Sequence, residues 1–194
     1  VIRSRITETE CYKGEADTAC HAHKGKTARN GVMWSRGGTV YVYLCYGMHN
    51  MLNIVTGKKG EPEAVLIRGV EAVSGPGRVT KYFSIDREQN GADVILSDAI
   101  WIEDDGTPVP QYECTPRIGI DYAAPEDRDR LALLIVGIIR RLVNKRNVHI
   151  ILAVKYDNAR CPILLISRSR ECLAKILILT RKSRRTVYVY TLST

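Results

Sequence analysis

The chain has 194 residues, enough for one domain of ordinary size and short for two. With 45% hydrophobic and 26% charged residues it excludes a disordered chain, and its longest apolar run, Leu131 to Ile139, is half of the roughly 18 residues a membrane helix needs, so no membrane contact is expected. The net charge of +8 is unevenly placed: residues 1–130 hold 16 Lys+Arg against 19 Asp+Glu, whereas residues 131–194 hold 13 against Asp157 and Glu171 alone.

In chain order, residues 2–12 read as a strand, with Ile2, Ile6, Glu10 and Tyr12 on one parity and therefore one face. Gly14 to Gly38, rich in Gly, Lys, Arg, Asn and His, reads as a long loop with one helical turn. Thr39 to Tyr46 alternates aromatic and aliphatic side chains, a strand pattern. Met51–Val55 and Ala64–Val70 follow as strands around a turn at Gly57-Lys58-Lys59-Gly60. Arg78–Ile85, after Gly75-Pro76-Gly77, reads as a short helix. Ile95–Glu103 and Arg117–Tyr122 read as late strands, with a turn at Asp104-Asp105-Gly106. Short strands, long loops and few helices predict an α+β fold, a single compact domain around a curved, mainly antiparallel β-sheet. Fourteen of the 15 glycines precede residue 131. Glycine and charge together divide the chain into a domain over residues 1–130 and a basic Leu/Ile-rich tail over residues 131–194.

Six cysteines occur without a C-x-x-C, and no His pair has ligand spacing, so no metal site is expected. Residues 1–6 lack a signal-peptide core, which points away from secretion and toward reduced thiols in a cytosolic protein. Val1 stands where an initiator Met would, and the N-terminus is expected to be truncated.

Glu10 and Tyr12 share a strand face, as do Tyr41 and Tyr43, while Tyr46 breaks that parity beside Gly47. A carboxylate among aromatic faces, with His21 nearby, is suited to holding a flat ring and activating a water beside it. The plainer reading, strand tyrosines and a solvated carboxylate, stays open on pattern alone.

An ordered series of motifs goes further. It runs through Thr7-Glu8-Thr9-Glu10-Cys11-Tyr12, Ala19-Cys20-His21, Thr27-Ala28-Arg29-Asn30, Gly38 to Met48 and Met51-Leu52-Asn53-Ile54. It continues through Val65-Leu66-Ile67-Arg68, Gly75 to Lys81 and Pro116-Arg117-Ile118-Gly119-Ile120. The series resembles the alkyladenine (3-methyladenine) DNA glycosylase family found in mammals and many bacteria. The resemblance implies a monofunctional base-excision enzyme with no metal and no organic cofactor. It would act as a monomer on double-stranded DNA containing damaged purines, in the cytoplasm of a bacterium or the nucleus of a eukaryote. On the matching positions, Glu10 is the base that activates water and Arg68 helps to position that water. Tyr12 and Tyr43 sandwich the extruded purine, His21 lies at the pocket edge, and Asn53 rejects guanine. Tyr46 is the wedge that fills the vacated stack, and Lys24, Lys26 and Arg29 are contacts to the DNA backbone. No Lys stands where a Schiff base would form, so no lyase activity is expected.

The chain departs from that family in starting only a few residues before the Glu-Thr-Glu motif and in a shorter segment between Glu71 and Gly75. After Arg130 the family's Pro-aromatic-Arg-Phe pattern is missing. The tail is read as the product of a reading-frame shift near that residue, with a novel C-terminal module as the competing view. Such a shift would remove a closing strand, and segments such as Cys161–Ile166 would promote aggregation. Two other outcomes are kept open: a non-enzymatic nucleic-acid-binding protein with an inactive glycosylase-like core, and a misfolded product with no function.

Overall fold

Strand β1 (Ile2–Tyr12) runs through the middle of the main sheet and is paired along both sides. The computed structural model of the chain describes residues 1–104, 112–136, 150–154, 178–179 and 186–187. On one side, β1 meets β4 (Ala64–Val70), from Ile6 opposite Val70 to Tyr12 opposite Ala64. On the other, Glu8–Glu10 pairs with β8 (Leu131–Val136), and Ile2–Arg5 pairs with β9 (Ile150–Val154). Beyond β4 lie β3 (His49–Val55) and β2 (Val40–Cys45), and beyond β8 lies β7 (Tyr112–Pro116), giving the order β2-β3-β4-β1-β8-β7. Short β5 (Val73–Ser74) folds back on β4, and β6 (Ile100–Asp104) pairs with β9. Ile178–Leu179 and Thr186–Val187 form a separate two-stranded ladder. All ladders among the described residues are antiparallel, and with helices α1 (Pro76–Tyr82) and α2 (Pro125–Arg128) the fold is α+β.

Alternation along the strands separates a core face from a second face. Val40 and Val42, Leu52 and Ile54, and Val65 and Ile67 pack with Val79 and Phe83 of the α1 region in one fully apolar cluster. Burying each such side chain contributes roughly 1.5–3 kcal/mol. The intervening residues Tyr41, Val55 and Ala64 face the opposite side, in a cluster with Cys20, Ala22 and Met33 of the 14–38 loop.

One parity does not hold along the whole of β1. Ile2 and Ile6 belong to the core cluster, whereas Glu10 and Tyr12 lie on the opposite face, with Cys11 now turned to the core. The cause is a pair of register shifts around Glu8, where β1 and β4 each step out of alternation. Such bulges re-aim the side chains that follow. The close approach here favours a glycine, since a Cβ on Gly69 would lie 3.0 Å from the Glu8 side chain, which would have to give way.

Three further expectations are corrected. The 14–38 loop contains two 3-10 turns, Gly14–Ala16 and Gly31–Trp34. Residues 95–99 are not strand: the Asp93 carboxylate accepts from Ile95 N–H and the Ser97 hydroxyl from Ala99 N–H, which closes turns instead of a ladder. Arg117–Tyr122 is also a turn region, with Gly119 at φ +76° and Arg117 aimed into the interior. Strand β7 was missed because Glu113 and Thr115 dilute its apolar pattern. The helix begins at Pro76, where the ring presets φ for the first turn. Residues 105–106 of the expected turn and all of Cys161–Ile166 lie outside the described residues.

Arg130 directly precedes β8, so the first residues of the basic segment share the sheet with the residues before them. Leu133 has no exposed surface, and Leu133→Ala is expected to cost about 2–5 kcal/mol in a denaturation experiment. Ending the chain at Arg130 strips the ladder partner from Glu8–Glu10, and size-exclusion chromatography should then show aggregates; a soluble fragment with the full-length melting temperature would refute this.

Candidate active site

Glu10 has no exposed surface, and three donors from separate segments converge on it. Tyr12 O–H donates to Oε2 at 2.9 Å, Ile118 N–H donates to Oε1 at 2.9 Å, and the Arg68 guanidinium lies 3.1 Å from Oε1. Tyr12 is two residues on along the same face of β1. Arg68 sits on the adjacent strand at the register shift that turns it toward Glu10. A carboxylate offers roughly four acceptor positions, and these donors occupy three of them. Burial and the Glu10 charge hold the Tyr12 phenol far above its ordinary pKa, so its proton stays on and the bond to Glu10 is kept.

In front of Tyr12 lies a pocket, open at its mouth, walled by Tyr12, Tyr41, Tyr43, His21 and Asn53. Tyr43 and His21 meet edge to face, with ring centroids 4.4 Å apart, and Tyr43 is tilted 36° to Tyr41 at 5.6 Å. His21 Nδ1 and the Tyr41 hydroxyl share a hydrogen bond of 3.0 Å. Burial pushes Tyr41 up to about 12 and, together with the Arg29 charge, pushes His21 below its ordinary value. At neutral pH Tyr41 can therefore donate to Nδ1 of a neutral His21, whose proton then sits on Nε2, where it can meet a ligand. Asn53 spends its amide hydrogens on the Tyr41 and Met51 carbonyls, each at 3.2 Å, so its side chain is fixed from behind. Glu10 and Arg68 lie behind Tyr12 and are not part of the lining.

Tyr46 is placed apart from this group. It occupies the tip of the β2–β3 hairpin, 88% exposed, with φ +50° followed by Gly47 at φ +72°. Lys24, Lys26 and Arg29 are exposed on the loop after His21. Arg29 donates to Leu44 O at 3.0 Å, which ties that loop to the hairpin, and Lys26 lies 5.9 Å from the centre of the Trp34 ring. Lys24 lines a broader cleft that opens beside the pocket and shares His21 and Tyr122 with it.

Comparison with known proteins decides the family. The family model described as Methylpurine-DNA glycosylase (MPG) matches residues 1–74 and 71–133. The chain belongs to the methylpurine-DNA glycosylase family. It is 47% identical over 145 residues to a protein of Methanocella arvoryzae, a match covering 64% of this chain and 72% of the relative. With a protein of Psychrobacter cryohalolentis it shares 43% over 148 residues, covering 63% and 69%. With one of Rickettsia peacockii it shares 43% over 150 residues, covering 74% and 79%. Each of the three carries the name "Putative 3-methyladenine DNA glycosylase".

The methylpurine-DNA glycosylase match spans each of the residues around Glu10 and the pocket. Sequence pattern names no site role for four of them. Parity makes Tyr41 a face-mate of Tyr43 and does not reveal its bond to His21. Tyr122 lines the mouth, and its hydroxyl donates to Ala19 O at 3.2 Å; an aromatic just after the Ile118-Gly119-Ile120 turn was the available signal. Arg117 and Asp17 form a fully buried ion pair at 2.6 Å across 100 positions of sequence, which no local pattern could reveal.

In a methylpurine-DNA glycosylase built this way, an NMR titration of His21 is expected to give a midpoint below 6.5. Arg29→Ala should move it upward without restoring the ordinary value, because burial is the larger cause. A midpoint that stays put or falls in Arg29→Ala would contradict the electrostatic coupling described for the loop.

Proposed function

We propose that the chain is a DNA glycosylase that turns damaged purines, of the 3-methyladenine, hypoxanthine and ethenoadenine class, out of duplex DNA and hydrolyses their N-glycosidic bond. The observation that carries this reading is the buried Glu10, held by three donors behind an aromatic pocket; its remaining acceptor position is the one proposed for the attacking water. A base inside the duplex is out of reach, so the target nucleotide has to leave the stack. Tyr12 and Tyr43 offer ring faces to the extruded purine, and a ring made cationic by alkylation gains further from the aromatic quadrupole. His21 meets the base or its sugar-phosphate at the pocket edge.

In the reaction proposed here, a water held by Glu10 and aligned with help from Arg68 gives its proton to the carboxylate as its oxygen bonds to C1′. The bond from C1′ to the purine nitrogen breaks, and the electron pair moves to the base, cancelling the positive charge of an N-alkylated ring. A cationic leaving group of this kind departs without a strong acid, so one carboxylate suffices; neutral hypoxanthine or ethenoadenine would leave as an anion in the same step and take a proton from bulk water. Asn53, fixed by two backbone bonds, cannot swing aside for the exocyclic amino group of guanine and so selects by exclusion. Tyr46 enters the gap left by the purine, while Lys24, Lys26 and Arg29 hold phosphates without reading sequence. The proposed partner is damaged duplex DNA, bound by a monomer with no cofactor.

For residues 131–194 we propose an origin in a shifted reading frame near Arg130. An intact frame in independent sequencing reads across that codon would refute it.

Single-turnover release of hypoxanthine and 3-methyladenine from duplex DNA tests the reaction. Wild type should release base, and Glu10→Gln should be slower by about 10²- to 10⁴-fold while still binding DNA. Equal rates would remove Glu10 as the base. Salt-sensitive binding without release by the wild type would favour a nucleic-acid-binding protein with an inactive core.

A further inference from the structure

Two of the three groups that hold Glu10 trace back to one residue behind the pocket. The Arg117 side chain is fully buried, and its guanidinium joins four separate places. Two N–H groups engage both oxygens of Asp17 at 2.6 and 2.9 Å. Others reach Cys11 O at 3.0 Å and Asp127 O at 3.1 Å. Its central carbon lies 4.9 Å from the centre of the Tyr12 ring. We propose that Arg117 is a positioning residue for the hydrolysis, fixing the Glu10 carboxylate through the Tyr12 ring and the Ile118 amide; this rests on the role of Glu10 given above.

A buried ion pair is a poor device for stability alone, because apolar residues of equal volume often serve as well or better. What the guanidinium adds is geometry. It is a rigid planar fork, and four of its N–H groups fix Asp17, Cys11 O and Asp127 O at once. Holding Cys11 O and the Tyr12 ring, Arg117 sets where the Tyr12 hydroxyl meets Oε2 of Glu10. Holding its own backbone through the same contacts, it sets where the next amide, Ile118 N–H, meets Oε1. Both carboxylate oxygens are thus aimed by groups that one side chain anchors. Asp17 extends the arrangement toward the pocket, since its oxygens also accept from Lys13 N–H and Ala19 N–H, ahead of Cys20 and His21. A displacement of a catalytic group by about 1 Å can cost on the order of 10²-fold in rate, so the anchoring has a kinetic consequence.

The test uses the full chain with Arg117→Lys, which keeps the charge and loses the fork. Affinity for lesion-containing duplex should stay within about threefold, while single-turnover release falls about ten- to hundredfold. Hydrogen exchange at the Ile118 amide should quicken while amides of β3 keep their protection, a local loosening that a general loss of stability would not give. Wild-type release together with wild-type protection at Ile118 would overturn the proposal. If the wild type itself releases no base, the glycosylase reading fails, and the Ile118 exchange comparison still decides whether Arg117 anchors that amide. Should Arg117→Lys not fold, Ile118→Pro removes the same N–H from a residue that is 60% exposed; release at the wild-type rate would then overturn the proposal, and slowed release would support it.

Discussion

A carboxylate buried in a protein interior has to be met by donors, because leaving it bare would cost several kcal/mol. Glu10 imposes that requirement on this fold. Its three donors come from β1, from β4 and from the turn after β7, segments that are remote in sequence. Only a sheet that sets β4 beside β1, with the chain after β7 returning to Glu10, supplies all three. The described fold thus satisfies one acidic side chain from three segments while leaving a pocket in front of Tyr12.

That arrangement depends on a single irregularity. A regular strand through residues 2–12 would send Ile6 and Glu10 to the same side, either exposing an isoleucine or burying the carboxylate in the apolar cluster with Val65 and Ile67. The paired register shifts around Glu8 and Gly69 resolve the conflict. The first half of β1 serves the core and the second half serves the pocket, and the shift leaves Arg68 pointing at Glu10. Packing and chemistry are divided along one strand at the cost of one local disruption.

These features were unequally legible in the sequence. Alternation in Val40–Cys45 and Ala64–Val70 identified strands and the Tyr41/Tyr43 face, because those signals lie within a few residues. The ordered motifs led to the methylpurine-DNA glycosylase family, which the matches over residues 1–133 bear out. The bulge was hidden because Ile, Glu and Tyr on one parity look the same whether or not the strand flips. The Arg117–Asp17 pair was hidden because long-range ion pairs carry no spacing rule, and Arg117–Tyr122 looked like strand because Ile118 and Ile120 alternate. Strand β8 shows the reverse case. Ladder hydrogen bonds are made by backbone, so an apolar run such as Leu131–Val136 can pair beside β1 even though its composition sets it apart from the rest of the chain.

Tyr46 shows how a local cost bears on function. A bulky residue at φ +50° carries strain of roughly 1–2 kcal/mol, and an aromatic ring left 88% exposed forgoes the gain of burial. Both could be relieved by a glycine at the tip, as the neighbouring Gly47 already illustrates with φ +72°. Among the described residues nothing rewards tyrosine there: Tyr46 is not in the core cluster, and the pocket is lined without it. An exposed, strained aromatic of this kind is accounted for by contact with a partner that has an apolar gap to fill. The proposed wedge role supplies such a gap in the vacated base stack, and Arg29, bonded to Leu44 O, ties the hairpin that carries the ring to the loop after His21.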